Sequence, residues 1–237
     1  MSYLTKVSQK LLEIESTQFH NFVKISKNLS RIIQAGGIIH TFGCGHSSLL
    51  AQDVFYRAGG LVPVHPIWIE ELMLHQGARQ ASESERKPGV VQQYLEKEDL
   101  QKKDAVLIIS TSGRNPAPIE TAIYCRELGL YTVALTSLCY SQSQPSRHSS
   151  NQRLEDVVDD VIDMEVPVGD TIMQKGARSY SPVSSVVGAG ILHELMTKTI
   201  ERIEEIGETP PVFKSGNVDG SDQHNQNMMQ AYKRISF

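Results

Sequence analysis

The chain has 237 residues and a formal net charge of −4, which allows one large domain or two small ones with a buried core. This charge provides no global basic surface for nucleic acid, and an aromatic content of 6% argues against stacking platforms for single strands. The three cysteines are widely spaced, so neither a disulfide framework nor a zinc knuckle is expected and a reducing compartment is favoured. No apolar run approaches the ~20 residues of a membrane span, and the polar N-terminus is no signal peptide. We therefore expect a cytoplasmic protein that binds neither nucleic acid nor a membrane.

The first 36 residues predict a helical extension made of one long helix or two. Apolar residues from Leu4 to Ile33 recur at near-helical spacing, and the pattern ends at Gly36 and Gly37. An apolar stripe this broad requires a packing partner in addition to one face of a sheet. We interpret the stripe as partly an oligomer surface, with packing inside the domain as the alternative.

Residues 38–60 predict a first strand–loop–helix unit. A short apolar strand over residues 38–42 leads into a glycine and hydroxyl loop, Gly-Cys-Gly-His-Ser-Ser, at residues 43–48. A helix then ends at Gly59 and Gly60. Cys44 beside His46 could be an activated thiolate, although a small residue in a tight turn is the plainer interpretation.

The next 37 residues predict less regular structure. Two prolines within residues 61–67 indicate a short edge strand. Residues 68–75 have helical character, which would place Glu71 and His75 on one face because they are four residues apart. Residues 76–87 are polar without periodicity and are interpreted as a mobile loop or lid, and residues 88–97 as a candidate helix.

Residues 106–122 contain the strongest functional pattern. A buried strand, Val-Leu-Ile-Ile, runs into Ser-Thr-Ser-Gly at residues 110–113, and a helix can start at Pro116 or Pro118. Free N–H groups and the positive end of the helix dipole would face a ligand, with hydroxyl groups as extra donors. This arrangement predicts a phosphate site. Neither this loop nor the first is a Walker or a complete dinucleotide-binding motif.

The remaining segments complete an α/β pattern. Residues 131–136 predict a buried strand, residues 137–152 a long loop, residues 157–164 a last strand and residues 181–204 a long helix. Alternating strands and helices predict a three-layer αβα sandwich around a parallel, doubly wound sheet of about five strands, Rossmann-like or flavodoxin-like, because five strands are too few for a barrel.

The two loops resemble those of the sugar isomerase (SIS) domain family. That family binds phosphosugars through a Ser-x-Ser-Gly-x-Thr loop and a Gly-x-Gly-x-Ser loop, which residues 110–115 and 43–47 match except that Asn115 replaces the threonine. The chain is similar to phosphoheptose isomerase-like members of the family, and the resemblance covers about residues 38–196. It implies an SIS domain over residues 37–207 between the extension (1–36) and a C-terminal arm (208–237), one structural domain overall. The phosphosugar-binding residues it implies are Gly43, Gly45, Ser47, Ser110, Thr111, Ser112, Asn115 and, unless it only caps the last helix, Ser184.

The same resemblance implies aldose–ketose isomerisation in carbohydrate derivative metabolism. That chemistry needs a base, for which we choose Glu71, and a ring-opening group. In the family's isomerases a C-terminal histidine serves at the site, often in a neighbouring subunit, so His224 is chosen, with Asp222 orienting it. The alternatives are a non-catalytic phosphosugar sensor or regulatory module and an amino-sugar-phosphate lyase or etherase. We expect a homodimer or homotetramer and assign neither a metal nor a cofactor.

Overall fold

Five parallel strands form the central sheet of the computed structural model, which describes all 237 residues. The strand order is β2-β1-β3-β4-β5, and all neighbours pair in parallel. The predicted α/β fold is therefore confirmed. The strands are β1 (Ile39–Gly43), β2 (Val64–Pro66), β3 (Ala105–Ile109), β4 (Tyr131–Thr136) and β5 (Asp160–Asp163).

Burial on both faces explains the apolar strand sequences. Every residue of β1 and β3 is buried, as parallel strands covered by helices on both sides require. The pair is in register with Ile39 opposite Ala105 and Gly43 opposite Ile109, so the two strands end together. The short strand β2 lies at the sheet edge, where its prolines are tolerated.

Helices cover both faces of the sheet and produce two apolar cores. One core joins the sheet to α1, α2, α3 and α8, and the other joins it to α5 and α6. None of the helices combines the length and the apolar character that a membrane crossing requires. The helices are α1 (Tyr3–Thr17), α2 (Phe19–Gln34), α3 (His46–Asp53), α4 (Ala78–Ser84), α5 (Gln92–Leu95), α6 (Pro116–Glu127), α7 (Leu138–Gln142), α8 (Ser184–Glu205) and α9 (Asp222–Ala231).

The N-terminal segment forms two helices, and most of its apolar stripe packs inside the domain. Phe22, Ile25 and Leu29 of α2 are at most 1% exposed and belong to the core that contains α8. Other apolar residues of the same segment, such as Leu12 and Phe19, remain exposed. The stripe therefore serves the domain core first, and only its outer edge is available for a partner.

The segment after β2 differs from its prediction. The predicted helix over residues 68–75 is two 3₁₀ turns, Glu70–Leu72 and Leu74–Gln76, so Glu71 and His75 do not share a helix face. The predicted loop over residues 76–87 contains helix α4. Its small residues Ala81 and Ser84 are almost fully buried, so tertiary packing stabilises a helix that has no apolar stripe.

An antiparallel hairpin that the sequence pattern did not predict precedes α8. Strands β6 (Thr171–Lys175) and β7 (Arg178–Pro182) pair across a turn that contains Gly176, whose φ is +59°. Because Ser181 and Pro182 belong to β7, α8 begins at Ser184 rather than at residue 181.

The C-terminal arm lies at the amino ends of the strands. Val212 forms an isolated antiparallel bridge with Leu61, which precedes β2. Near the terminus, Arg234 donates to both carboxylate oxygens of the buried Asp104, at 3.0 and 2.6 Å. Burial alone would raise the pKa of Asp104, but hydrogen bonds from His40, Arg234 and two backbone N–H groups hold it well below its usual range. The arm is thus fastened to the sheet by a paired, buried carboxylate.

Candidate functional site

A cavity of about 360 Å³ lies where strands β1 and β3 end. The connections that leave these two adjacent strands go to opposite sides, because β1 is followed by β2 on one side of the pair and β3 is followed by β4 on the other. This is the topological switch point of an open α/β sheet, at which ligands bind beyond the carboxyl ends of the strands. The loops after β1 and β3, the residue that follows α4 and the start of α8 contribute to the lining.

The loop after β1 needs its glycines. A Cβ atom at Gly43 would lie 2.4 Å from the carbonyl oxygen of Ser47, so no side chain fits there. Gly45 has φ +55° and ψ −124°, a conformation that other residues avoid. The tight turn starts α3 at His46 and places Ser47 in the cavity wall.

The loop after β3 presents several free donors. Gly113 has φ +56°, and a Cβ atom there would lie 2.7 Å from Thr136 Oγ1, so the loop can turn only at glycine. The backbone N–H groups of Thr111, Ser112 and Asn115 donate to no protein atom. Together with the nearby hydroxyls and the start of α6 at Pro116, they form a site suited to a phosphate.

The side chain of Asn115, a predicted phosphosugar-binding residue, contacts other protein groups in the structure. Its Nδ2 donates to Glu85 Oε1 at 2.8 Å, and its Oδ1 accepts from Arg147 Nη1 at 2.8 Å. Both ends of the amide are therefore occupied by protein groups. The side chain links the phosphate loop to a carboxylate on one side and to a guanidinium on the other.

Glu85 is a candidate functional residue that the sequence pattern did not single out. It follows α4, lines the cavity and is half-buried. Burial raises its pKa above the ordinary glutamate value, and the hydrogen bond from Asn115 and the charges of Arg86 and Arg147 offset part of that rise. A carboxylate with a raised pKa inside a cleft is suited to act as a general base. Nothing local marks it, because it lies in a polar stretch without periodicity.

Ser184 lines the cavity, as predicted, but its hydroxyl is engaged. It donates to Asp170 Oδ2 at 2.7 Å, while Asp170 Oδ1 accepts from the N–H groups of Val183 and Ser184. Asp170 therefore caps α8 from the root of the hairpin. The neighbouring Ser185 also lines the cavity and can present its hydroxyl to a ligand.

The three predicted catalytic residues do not line the cavity of their own chain. Glu71 accepts a hydrogen bond from Tyr94 Oη at 3.0 Å. His224 Nε2 lies 2.9 Å from the carbonyl oxygen of Val212, on the arm at the opposite end of the sheet, and Asp222 begins α9 there. The histidine that does line the cavity is His46.

The structure argues against an activated thiolate at Cys44. Burial, and then the nearby charge of Glu85, raise the pKa of its thiol well above the ordinary value. The thiol therefore stays protonated and fills the turn as a small apolar group.

A larger open groove, of about 550 Å³, lies at the amino ends of β3 and β4. Both carboxylates of this groove are engaged in hydrogen bonds within the protein. Asp104 accepts from Arg234, and Asp159 accepts from the backbone N–H and the hydroxyl of Thr132. We therefore place the functional site at the carboxyl ends of the strands.

Two hydroxyl-bearing loops that face each other at a switch point define an α/β protein built to bind a small anionic ligand. The family model of the SIS domain matches residues 2–137, more than half of the chain, so the chain belongs to the SIS domain family. The resemblance inferred from the loops is confirmed.

Known proteins resemble this chain at two levels. A UPF0309 protein of Geobacillus thermodenitrificans is 45% identical over 233 residues, which cover 98% of this chain and 94% of the relative. Phosphoheptose isomerase from Neisseria gonorrhoeae has the same fold with a TM-score of 0.57 and 14% identity, over 86% of this chain and 95% of that one. A Methanococcus jannaschii protein with an inferred 3-hexulose-6-phosphate isomerase function matches with a TM-score of 0.53 and 15% identity, over 88% and 93% of the two chains.

Proposed function

We propose that this protein is a sugar-phosphate isomerase of the aldose–ketose type, with Glu85 as its base. The observation that carries the proposal is a half-buried carboxylate of raised pKa in the same cavity as the phosphate loop. Membership of the SIS family supports a phosphosugar as the ligand.

The substrate phosphate binds the N–H groups of Thr111 and Ser112, their hydroxyls and the hydroxyl of Ser47 from the opposite loop. Backbone donors at a helix start hold an anion without needing a lysine or an arginine, and neither residue type lines this cavity. This places the carbon chain of the sugar between the two loops, within the reach of Glu85.

The reaction moves one proton between C2 and C1. For an aldose, Glu85 takes the proton from C2 while the carbonyl oxygen on C1 gains one, and an enediol forms. Glu85 then returns its proton to C1 as the hydroxyl on C2 loses its own, which leaves the ketose. His46 is the group in the cavity suited to exchange protons with the sugar oxygens and to open the ring.

We propose Glu85 in place of Glu71 as the base. The predicted roles of His224 and Asp222 are possible only between two chains. The C-terminal pair lies at the opposite end of the sheet in its own chain, so a catalytic role would require a second copy of the protein to deliver it. We propose Glu85 and His46 as the pair that acts within one chain.

The test is exchange of the C2 proton for deuterium. The protein is incubated with a panel of phosphosugars in deuterated water, and the C2 signal is followed by proton NMR. Wild type should exchange one of them, and Glu85→Gln should slow that exchange by about 10²–10⁴-fold because the base is removed.

Glu71→Gln is the matched control and should exchange at the wild-type rate, since Glu71 contacts Tyr94 rather than the cavity. Undiminished exchange in Glu85→Gln would refute the assignment of the base. Tight binding without exchange for any sugar would favour the phosphosugar sensor.

A further inference from the structure

Three arginines adjoin Glu85 and Asn115, two as neighbours in the chain and one through a hydrogen bond. Arg86 directly follows Glu85, Arg114 directly precedes Asn115, and Arg147 donates to Asn115 Oδ1 at 2.8 Å. We call Arg86, Arg114 and Arg147 the rim arginines, because they adjoin lining residues without lining the cavity themselves.

Two hydrogen bonds hold two of the rim arginines together. The backbone N–H of Arg147 donates to the carbonyl oxygen of Arg114 at 2.8 Å. In return, Arg114 Nε donates to the carbonyl oxygen of Pro145 at 3.0 Å. The segment that carries Arg147 is therefore fastened to the loop that follows β3, and its charge has a defined position beside that loop.

None of the rim arginines forms an ion pair. Elsewhere on the surface, Arg57, Arg79 and Arg202 lie 2.5–2.8 Å from a carboxylate oxygen. At the rim, partial burial and then the charges of Arg114 and Arg86 lower the pKa of Arg147, and the charge of Glu85 opposes part of that shift. The charges of Arg86 and Arg114 thus both act on Arg147.

Clustered like charges cost free energy unless an anion compensates them. The cavity beside them has the opposite character, with the carboxylates of Glu85 and Asp170 and no lysine or arginine. One anionic group of a ligand can bind the free N–H groups of the phosphate loop. The rim arginines then offer a separate position for another, outside the cavity and next to the base.

We propose that the rim arginines form a subsite for a second anionic group of the substrate, so that the substrate is a phosphosugar that also carries a carboxylate or a second phosphate. Guanidinium groups suit both anions because they bind carboxylate and phosphate oxygens in pairs. This inference rests on the proposed function and names the substrate class of the same site.

The test compares ligands that differ by one anionic group. Calorimetry measures the affinity of wild type for fructose 6-phosphate against fructose 1,6-bisphosphate, and for glucose 6-phosphate against 6-phosphogluconate. We expect the doubly anionic member of at least one pair to bind about tenfold tighter or more. The pair that shows the gain distinguishes a second phosphate from a carboxylate.

The variant is Arg86→Gln combined with Arg114→Gln, which leaves Arg147 to hold Asn115. It should remove the advantage of the doubly anionic ligand and preserve the affinity for its singly phosphorylated partner. The matched control is Arg31→Gln with Arg202→Gln, which removes the same charge from α2 and α8 and should preserve the advantage.

Three results would overturn the subsite. The first is that wild type binds both members of each pair with equal affinity. The second is that the double variant keeps the advantage of the doubly anionic ligand. The third is that the double variant binds both members of a pair more weakly by the same factor, which would mean that the arginines serve the phosphate held by the loop. Failure of every phosphosugar to bind wild type would overturn the proposed function as well, so the two failures are distinguishable.

Discussion

At the scale of single residues, the side chain of Asn115 controls the carboxylate of Glu85. Its Nδ2 donates to Glu85 Oε1, and this hydrogen bond lowers the pKa of Glu85 against the rise that burial causes. In Asn115→Ala the pKa of Glu85 should therefore rise further. Because the base acts only when deprotonated, the acid limb of the pH–rate profile for deuterium exchange should move to higher pH. The pH dependence of exchange, measured for both proteins, checks this.

Ser112→Ala is the control for that shift. It removes a proposed phosphate contact and should weaken phosphosugar affinity by about 1.5–3 kcal/mol, while the acid limb of the pH–rate profile stays at the wild-type pH. An acid limb that stays in place or moves to lower pH in Asn115→Ala would contradict the role assigned to this amide.

At the scale of elements, a buried charge pair near the terminus helps to hold the C-terminal arm to the sheet. Arg234 donates to both oxygens of Asp104, which is 1% exposed at the start of β3. Arg234→Ala should lower the free energy of unfolding by about 1–3 kcal/mol, because a buried carboxylate loses its charged donor. Urea denaturation measures the change. Arg202→Ala, which breaks an exposed pair with Glu205, should cost less than about 1 kcal/mol, and equal losses in the two variants would contradict the anchoring role.

At the scale of the whole molecule, we expect a homodimer or homotetramer that uses the outer face of α1 and α2. Leu12 is 66% exposed and lines a groove of about 480 Å³ between α1 and α8, whereas Phe19 is 52% exposed and lines a second groove, of about 430 Å³, between α2 and α8. Exposed apolar residues in a continuous patch are typical of a protein interface. Light scattering should give an oligomer for wild type and a monomer for Leu12→Glu with Phe19→Glu.

The control for the interface is Leu128→Glu. Leu128 is 43% exposed at the end of α6, on the other side of the sheet, so its substitution should leave the assembly intact. A clean monomer for wild type at micromolar concentration would contradict the predicted assembly.

The sequence by itself determined the sheet and the two loops after β1 and β3, because these features are local. Apolar runs over β1 and β3 report burial on both faces, and Gly43 and Gly113 mark turns in which no side chain fits. Serine and threonine after such a strand suffice to predict an anion site. The strand order that creates the switch point between these loops came from the structure.

Only the tertiary structure decided which charged groups meet at that site. Glu85 lies 30 residues before Asn115 and Arg147 lies 32 after it, yet one amide contacts both. The helix that carries Glu85 to the cavity is stabilised by packing rather than by an apolar stripe of its own. The arm carries His224 to the opposite end of the sheet through contacts with distant residues. Hydrophobic periodicity and turn chemistry act over a few residues, so they predicted the two loops. The contact between separate segments depends on how the whole chain packs. For this reason the sequence did not predict Glu85 as the candidate base.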